Sequence, residues 1–300
     1  MLSLQERNTL VAVARLYYED NLTQAEIAQK IGVSRPMVSK MLAKARQVGI
    51  VHIEIRATEE GNADLLRLLQ EKYGLTGGLV LRPKEVAWTQ IARYLANELT
   101  FDRHIGLGWG YALGETVKEL AHIPMKNQEG AIYPLIGSAH IPHQGYHPDE
   151  LVQLWGGASG RTVATLQCQA FPVTEEERLG CEATSNYQRL SGLWHQTSAA
   201  VVCIKPYPGV PDEATATRFG EALRKQHAVG SMLSYYFNER GEFISGNNDY
   251  CIHIPLATLY KCPKIIGLAV DVAPQALKGA LASGLFSHLI LREEQALSLI

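Results

Sequence analysis

The sequence predicts an α/β fold in two parts, a small helical head followed by a larger body built on a mostly parallel sheet. The chain has 300 residues, which leaves room for about two domains at roughly 100–200 residues each. Beyond residue 76, short apolar runs alternate with helical stretches, a rhythm that predicts a sheet covered by helices on both faces. Residues 1–56 instead carry helix-capping signals. We therefore expect domains at 1–56 and 77–300, joined by a connecting helix at 57–76.

The composition is that of a globular chain with a sizeable core. Apolar residues make up 46% and charged residues 19%, and no run approaches the roughly 18 apolar residues of a membrane span. The first ten residues lack the basic start and the apolar stretch of a secretory signal. Five cysteines, none of them in a C-x-x-C pair, argue against a disulfide framework or a structural zinc site. We therefore expect a cytoplasmic protein without a metal or other cofactor.

Charge is unevenly distributed along the chain. The net charge is −2, but residues 1–56 carry eight Lys or Arg against five Asp or Glu. Between Lys30 and Arg46 there are five cations and no acid. A basic head on an acidic body predicts a polyanionic partner for the head alone, although a run of charge can also be a solvated face.

The head begins with two predicted helices. Apolar residues recur at helical spacing over residues 4–18. Thr23 and Glu26 then form a Thr-x-x-Glu capping box, in which the hydroxyl accepts from the Glu26 amide and the carboxylate reaches back. Gly32 ends this second helix as a C-terminal cap.

A third helix is predicted to begin at Ser34. With this serine as N-cap, Pro36 falls in the first turn, where its missing N–H would have had no intrahelical partner. The proline therefore stiffens the start of the helix instead of breaking it. The side chains of Val38, Met41 and Leu42 face inward in this arrangement.

The two short helices match a helix-turn-helix, whose second helix enters the major groove of DNA by its N-terminal end. Arg35 at that end can bond a guanine edge or a phosphate, while hydroxyls and lysines nearby can bind phosphates. Residues 49–57 alternate as a β-strand does and predict a small wing. A plain amphipathic helical hairpin is the alternative. The predicted DNA contacts are Thr23, Gln24, Ser34, Arg35, Pro36, Met37, Ser39, Lys40 and Lys44.

The body is predicted to be a Rossmann-like alternation of strands and helices. Residues 231–245 depart from this rhythm and predict a strand pair around Arg240-Gly241. The predicted strands lie at 78–81, 104–108, 131–137, 162–166, 199–204, 264–270 and 287–291, and the predicted helices at 85–99, 111–121, 175–194, 212–226 and 274–282.

Two loops of the body stand out as ligand-binding candidates, because ligands of open α/β sheets bind beyond the carboxyl ends of the strands. Residues 106–110 place three glycines between a strand and a helix start, where N–H groups favour an anion or a hydroxyl. The alternative is a tight turn without a ligand, and the spacing does not fit a dinucleotide motif. Residues 137–150 concentrate His140, His143 and His147 near Asp149. A zinc site is conceivable there, but a polar lid fits the uneven spacing better.

The stretch LYYEDNLTQAEIAQKIGVSRPMVSKMLAKARQVGIVHIEI, residues 16–55, closely resembles the N-terminal domain of the SorC family of bacterial sugar-responsive transcriptional regulators. The resemblance is specific over roughly the first 56 residues and continues more weakly to the C-terminus. It implies an operator-binding domain followed by an effector-binding and oligomerising domain that resembles sugar-phosphate isomerases. It also implies a dimer or tetramer on palindromic double-stranded DNA, with a small carbohydrate as effector and no membrane partner.

The resemblance also implies positions for the effector. The Gly-rich loop that helps bind a sugar or sugar phosphate in SorC-like regulators matches Gly108, Trp109, Gly110 and Tyr111. The region that lines or covers their pocket matches residues 137–150, which we call the histidine-rich loop. The predicted effector contacts are Gly108, Trp109, Gly110, Tyr111, Ser138, His140, His147, Ser231 and Asp271.

Two of these positions depart from the family pattern. Many relatives have an aspartate where this chain has Ser231, and many carry a phosphate-facing lysine shortly after the strand at 264–270. Here Asp271 follows that strand and no lysine occurs before Lys278. Because Asp271 would repel an anion and suits hydroxyl groups, the sequence predicts a neutral sugar or sugar alcohol as effector.

The predicted function is that of a sequence-specific DNA-binding transcriptional regulator of a carbohydrate-utilisation operon, controlled by a small sugar, sugar alcohol or sugar phosphate. The alternative is an isomerase- or deaminase-like enzyme fused to the head, with His140, Asp149 or Asp271 as acid or base. No motif pairs such a group with an orienting partner, and a likeness of fold does not carry function. An RNA-binding role lacks the aromatic stacking surface it requires.

Overall fold

The computed structural model describes residues 4–20, 22–51, 62–82, 88–125, 128–139, 147–209 and 215–300. The chain divides into two compact units, Met1–Glu59 and Glu60–Ile300. The helix expected to connect the two domains, α4 (Ala63–Tyr73), therefore lies within the second unit. There it packs against the first strand of the sheet and the C-terminal helix. Its Leu65 and Leu69 are buried, whereas Leu68 is 40% exposed.

The head consists of three helices, α1 (Leu4–Tyr18), α2 (Gln24–Ile31) and α3 (Arg35–Gln47). Their bounds agree with the capping signals of the sequence, since α2 ends at Gly32, which has a left-handed backbone with φ 72°. One apolar cluster holds them together, and its buried members include Val13, Ile27, Val38 and Leu42. Of the predicted wing strand, residues 52–57 lie outside the described residues.

The second unit is built on a parallel sheet of seven strands, in the order β1-β11-β10-β5-β2-β3-β4 among the described residues. All six pairings of this sheet are parallel. The mostly parallel α/β sheet predicted from the sequence is therefore confirmed. Its strands are β1 (Gly77–Leu81), β2 (His104–Leu107), β3 (Ala131–Pro134), β4 (Thr162–Val163), β5 (Ala199–Cys203), β10 (Lys264–Leu268) and β11 (His288–Arg292).

Helices cover both faces of this sheet, because its strands are apolar on both sides. Leu79, Ile105 and Val201 belong to one apolar cluster, while Val80, Tyr133 and Val202 belong to the other. The helices are α5 (Trp88–Glu98), α6 (Tyr111–Leu120), α7 (Pro148–Ser159), α8 (Glu175–Glu182), α9 (Ser185–Trp194), α10 (Thr215–Phe219), α11 (Ala222–Lys225), α12 (Leu256–Leu259), α13 (Pro274–Ala282) and α14 (Glu293–Leu299).

Two of the predicted helices are each divided in two. The stretch 175–194 is interrupted after α8, because Thr184 caps α9 by accepting a hydrogen bond from the Tyr187 amide at 3.2 Å. The stretch 212–226 contains α10 and α11, separated by Gly220 with a left-handed φ of 51°. Local capping and turn residues thus end these helices where apolar spacing alone predicted continuation.

A second, antiparallel sheet contains β6 (Lys205–Pro206), β7 (Ala228–Met232), β8 (Tyr235–Asn238) and β9 (Phe243–Ile244). The predicted turn at Arg240-Gly241 joins β8 to β9. The turn between β7 and β8, at Leu233 and Ser234, was not predicted. Both residues have positive φ, at 47° and 62°, although neither is the glycine or asparagine by which such turns are recognised in sequences.

The cysteines contradict the sequence-based expectation. Cys168 and Cys181 form a disulfide between the segment after β4 and α8, with their Cα atoms 6.1 Å apart. The other three, Cys203, Cys251 and Cys262, are free thiols. The expectation failed because these two cysteines are 13 residues apart in the chain, a spacing that marks no known motif.

Candidate functional site

The start of α2 is held by a complete capping box. The Glu26 amide donates to Thr23 Oγ1 at 3.3 Å, and the Thr23 amide donates to Glu26 Oε2 at 2.8 Å. The Thr23 hydroxyl also donates to Glu26 Oε2 at 2.7 Å. These bonds from the Thr23 backbone and side chain lower the pKa of the Glu26 carboxyl. Since the hydroxyl proton already serves the carboxylate, Thr23 acts first as a cap, and DNA phosphate would meet the N–H groups of the helix start.

The start of α3 has the predicted bounds but a different cap. Ser34 occupies the N-cap position with an extended backbone, but its side chain makes no capping hydrogen bond. The N-cap position predicted for Ser34 is therefore confirmed, but the capping hydrogen bond expected from its hydroxyl is not made. Pro36 lies in the first turn as expected. Met37, which precedes the buried Val38, is 46% exposed.

The predicted DNA contacts lie on the exposed side of the head. Arg35, Ser39 and Lys40 are exposed, whereas Lys44 lies 3.8 Å from Glu6 of α1 in a solvent-exposed ion pair. Such exposed pairs contribute only about 0–1 kcal/mol, so DNA phosphate can replace Glu6 at modest cost.

A cleft of about 750 Å³ brings three of the predicted contacts together. Thr23, Gln24 and Arg35 line it together with Tyr17 and Tyr18 from the end of α1. The two tyrosine rings meet edge to face at 4.9 Å. We did not predict these tyrosines as part of the site, because apolar spacing assigned the end of α1 to the core.

The different caps of α2 and α3 give a stability prediction. Thr23→Ala is expected to remove about 1 kcal/mol from the local stability of α2, because it deletes the hydroxyl of the capping box. Hydrogen exchange in the full chain should then show the Glu26 and Ile27 amides exchanging about fivefold faster. Ser34→Ala is the matched control, and exchange in α3 should change little since no capping bond is lost. Equal effects in the two helices would contradict this account of the caps.

In the second unit, the loop after β2 lies where the order of the sheet reverses. β2 pairs with β3 on one side and with β5 on the other, so the loops at their carboxyl ends diverge and leave a crevice. Gly108 donates to the Val201 carbonyl at 2.8 Å, and a Cβ at Gly108 would lie 3.0 Å from the Leu233 side chain. Gly110 has a φ of 133° and is the N-cap of α6. The positive φ therefore requires a glycine at Gly110, and the close approach to Leu233 favours one at Gly108.

The crevice contains an aromatic and a basic side chain. The Lys205 ammonium lies 4.3 Å from the centre of the Trp109 ring, a cation–π contact. The Phe171 ring lies 6.2 Å from Trp109. Tyr111, the first residue of α6, is 62% exposed and meets Trp88 edge to face at 5.7 Å. Sequence reasoning missed Lys205, whose only local signal is its position directly after the apolar run of β5.

The histidine-rich loop is described only at its two ends. Ser138 is half-buried, and its amide donates to the Cys168 carbonyl at 2.9 Å. His147 is the N-cap of α7 without a side-chain capping bond. His140 and His143 lie outside the described residues. Among the residues that are described, no three His, Cys, Asp or Glu side chains are grouped as a metal site would require.

The remaining predicted effector contacts have partners within the protein. Ser231 is buried in β7 and is the register partner of Lys205 in β6, which ties it to the crevice through the backbone ladder. Asp271, with a left-handed φ of 60°, pairs with Arg292. Their closest atoms, Asp271 Oδ1 and Arg292 Nε, are 2.9 Å apart. The prediction that Asp271 repels an anionic effector therefore loses its basis, because the guanidinium of Arg292 balances the charge of the carboxylate.

Two of the three groups that could serve an enzyme, Asp149 and Asp271, are engaged by other parts of the protein. Asp149 accepts a hydrogen bond from the Leu166 amide at 3.0 Å, and its burial raises the pKa of its carboxyl. Asp271 is engaged by Arg292. Neither carboxylate has a described nucleophile or imidazole as its hydrogen-bond partner.

Comparison with known proteins gives the family. Residues 59–300 match the model of a putative sugar-binding domain, and residues 3–48 match sigma-70 region 4. The sorbitol operon regulator of Klebsiella pneumoniae is 27% identical over 96% of both chains. The crystal structure of full-length SorC from the same organism superposes with a TM-score of 0.81 at 25% identity, covering 98% of each chain. The chain belongs to the SorC family.

Further relatives agree with this membership. The deoxyribonucleoside regulator of Bacillus subtilis is 24% identical, over 99% of this chain and 98% of its own. The SorC-family chain is thus a DNA-binding transcriptional regulator with a sugar-binding domain, and the enzyme alternative is not favoured. No helix in the described part of this regulator is long and apolar enough to cross a membrane.

Proposed function

We propose that this cytoplasmic regulator binds a small carbohydrate in the crevice between β2 and β5 and thereby changes the affinity of its head for operator DNA. The observation that carries the proposal is the Gly-rich loop at the switch point of the sheet, where Trp109 and Gly110 lie against Lys205. The match of the whole second unit to a sugar-binding domain supports a carbohydrate as the ligand.

On the DNA side, α3 enters the major groove by its N-terminal end. Arg35 reads a base edge from the first position of α3, while Lys40 and Ser39 bind phosphates one turn further on. Gln24 and the N–H groups at the start of α2 bind a phosphate across the cleft. Ser34, Pro36 and Met37 form the surface that meets the bases, with Met37 offering an apolar contact to a thymine methyl.

On the effector side, the indole of Trp109 supplies a flat apolar wall for the carbon face of a sugar. The start of α6, at Tyr111, favours the oxygen atoms of a ligand, because the N-terminus of a helix carries a partial positive charge. Ser138 and His147, at the ends of the histidine-rich loop with His140 between them, supply hydroxyl contacts. Ser231 and Asp271 belong to the same end of the sheet. A sugar, a sugar alcohol or a sugar phosphate fits this set of groups.

The relatives support this range of effectors. One is named a sorbitol operon regulator and another a deoxyribonucleoside regulator, so the family includes regulators of polyol and of sugar-containing nutrients. By analogy, we propose that the present chain controls a carbohydrate-utilisation operon. A single small head binds DNA weakly, and we therefore propose a homo-oligomer, a dimer or tetramer, on palindromic half-sites.

A thermal-shift screen tests the proposed effector site. Full-length protein is heated with sugars and polyols, each tested in its free and in its phosphorylated form. A ligand at 100 times its Kd should stabilise the protein by about 2.7 kcal/mol and raise Tm by about 5–10 °C. A matched screen with nucleobases and amino acids provides the control. The absence of a shift with every carbohydrate, or an equal shift with the control compounds, would contradict the proposal.

A further inference from the structure

Cys168 and Cys181 join two elements at the edge of the effector crevice. Cys168 lies in the segment of residues 164–171 after β4, which we call the bridge segment, and Cys181 lies in the last turn of α8. The Cα atoms are 6.1 Å apart, within the range of about 4.4–6.8 Å that a disulfide requires. The backbone spacing is therefore compatible with a disulfide at this place.

The bridge segment forms part of the crevice wall. Its Cys168 carbonyl accepts from the Ser138 amide at 2.9 Å, and its Ala170 amide donates to the Ser138 carbonyl at 2.7 Å. Its last residue, Phe171, faces Trp109 at 6.2 Å and lies 5.1 Å from the buried guanidinium of Arg218. A displacement at Cys168 therefore reaches both Ser138 and Trp109 through direct contacts.

The disulfide closes a loop that contains Phe171. Apart from this bond, the bridge segment is tied to the α8–α9 pair through Asn186, which donates to the Thr165 carbonyl at 3.0 Å and accepts from the Gln167 amide at 2.9 Å. Both of these bonds lie before Cys168. When the disulfide is open, the part of the segment that carries Phe171 remains joined to α8 by the backbone of residues 172–174 but loses the cross-link between Cys168 and Cys181.

We propose that Cys168 and Cys181 are a reversible thiol–disulfide switch that sets the rigidity of the effector crevice, with a hydroperoxide as oxidant. The coupling to effector binding rests on the function proposed above. In a reducing compartment the two cysteines begin as thiols. Disulfides of proteins in reducing compartments are generally transient and serve catalysis or redox sensing. The oxidised pair fixes Phe171 and Ser138 in the arrangement of the structure.

The chemistry balances with hydrogen peroxide as the oxidant. Cys181 is half-buried and Cys168 is 6% exposed, so the Cys181 thiolate meets the peroxide first. Its sulfur attacks one oxygen, the O–O bond breaks, and a sulfenic acid forms while the leaving hydroxide takes up the proton that the Cys181 thiol released, giving one water. The Cys168 thiolate then attacks this sulfur, the S–O bond breaks, and the leaving hydroxide takes up the proton that the Cys168 thiol released, giving a second water. Two thiols and one peroxide thus give one disulfide and two waters, and a dithiol reductant reverses the step.

Neither Cys203 nor Cys262 competes for this role. Burial raises the pKa of the Cys203 thiol, and it raises the pKa of the Cys262 thiol to about 11. Both are therefore held as weakly reactive thiols. Cys251 lies in neither the bridge segment nor α8.

Thiol counting tests the bond directly. The reduced chain should show five reactive thiols on denaturation, and the peroxide-treated chain three, with one cross-linked peptide pair joining Cys168 to Cys181. Cys181→Ser should keep four thiols after the same treatment, and Cys262→Ser, the matched control, should still lose two. Five thiols after peroxide treatment, or a cross-link between other cysteines, would overturn the switch. This test needs no effector, so its failure is distinct from that of the proposed function.

Hydrogen exchange tests the coupling to the crevice. Backbone amides of Ser138, Ala170 and Ile252 should exchange at least about threefold more slowly in the oxidised full-length chain than in the reduced one. In Cys181→Ser the rates should match those of the reduced chain with and without peroxide. A cross-link that forms while these rates stay equal would show a structural disulfide only and would overturn the coupling. A carbohydrate found in the thermal-shift screen should bind the oxidised and reduced proteins with affinities that differ at least about threefold.

Discussion

Replacing Arg35 by alanine is expected to weaken binding to the operator by about 1–3 kcal/mol, roughly 5- to 150-fold, and to relax the base preference at one position. Arg35 is the first residue of α3, it is exposed, and it lines the cleft with Thr23 and Gln24. A guanidinium at this place reaches base edges with two parallel hydrogen bonds, which an alanine cannot make. Fluorescence anisotropy on duplexes obtained by selection from a random library measures the loss.

Lys44→Ala is the matched control for Arg35→Ala. Lys44 lies two turns further along α3 and is paired with Glu6 at 3.8 Å in the free protein. Its loss should weaken binding to all sequences alike and reduce the slope of log affinity against log salt by about one unit. Equal losses on specific and random duplexes for Arg35→Ala would assign Arg35 to a phosphate. If neither substitution changed DNA affinity, α3 would not be the helix that enters the groove.

Gly110→Ala is expected to weaken the response to carbohydrate about tenfold or more while DNA binding without carbohydrate is retained. The backbone φ of 133° at Gly110 is one that side-chain-bearing residues rarely adopt, and a Cβ there would lie 3.1 Å from Cys203 Sγ. Strain of about 1–3 kcal/mol at the start of α6 displaces the ligand-binding N–H groups. The affinity for a carbohydrate found in the screen should fall about tenfold or more by calorimetry.

Gly157→Ala controls for the general effect of replacing a glycine. Gly157 lies in α7, and a Cβ there would have no atom within 4 Å. This substitution should leave carbohydrate binding unchanged and stabilise the helix slightly, by about 0.5–1 kcal/mol. An unaltered affinity in Gly110→Ala would place the effector elsewhere in the domain. An equal loss in both variants would indicate a change in folding instead of a change at the crevice.

The head was predictable because its signals are local. The capping box of Thr23 and Glu26, the left-handed Gly32 and the proline in the first turn each act within about four residues of the chain. The helix bounds follow from such neighbours. The seven strands described in the main sheet were also predicted, because buried parallel strands are recognisable in a sequence as short apolar runs.

The crevice was only partly predictable because its contacts join distant parts of the chain. The Gly-rich loop at residues 106–110 is visible in the sequence, but the position of Lys205 over Trp109 depends on β2 and β5 being neighbours. The pairing of Asp271 with Arg292, 21 residues later, depends in the same way on β10 and β11. The order of the strands is set by the packing of the whole domain, and the apolar spacing within one strand does not predict that order.

The same limit explains two further errors. Ser34 has the residue type and position of a cap, but the rotamer that makes the bond is decided by its surroundings. The approach of Cys168 to Cys181 depends on how the bridge segment passes α8. Residue types can therefore indicate which groups are available, whereas partners across the fold follow only from the tertiary structure.

The central claim is tested most directly by titrating labelled operator duplex with the full-length chain. The titration is carried out at about 50 mM and at about 200 mM salt, each with and without the carbohydrate found by thermal shift. The account predicts binding that weakens steeply with salt, because α3 neutralises phosphates, and a change in affinity of at least about fivefold when the carbohydrate is added. Failure to bind any duplex at low salt, or an affinity that no carbohydrate alters, would contradict it.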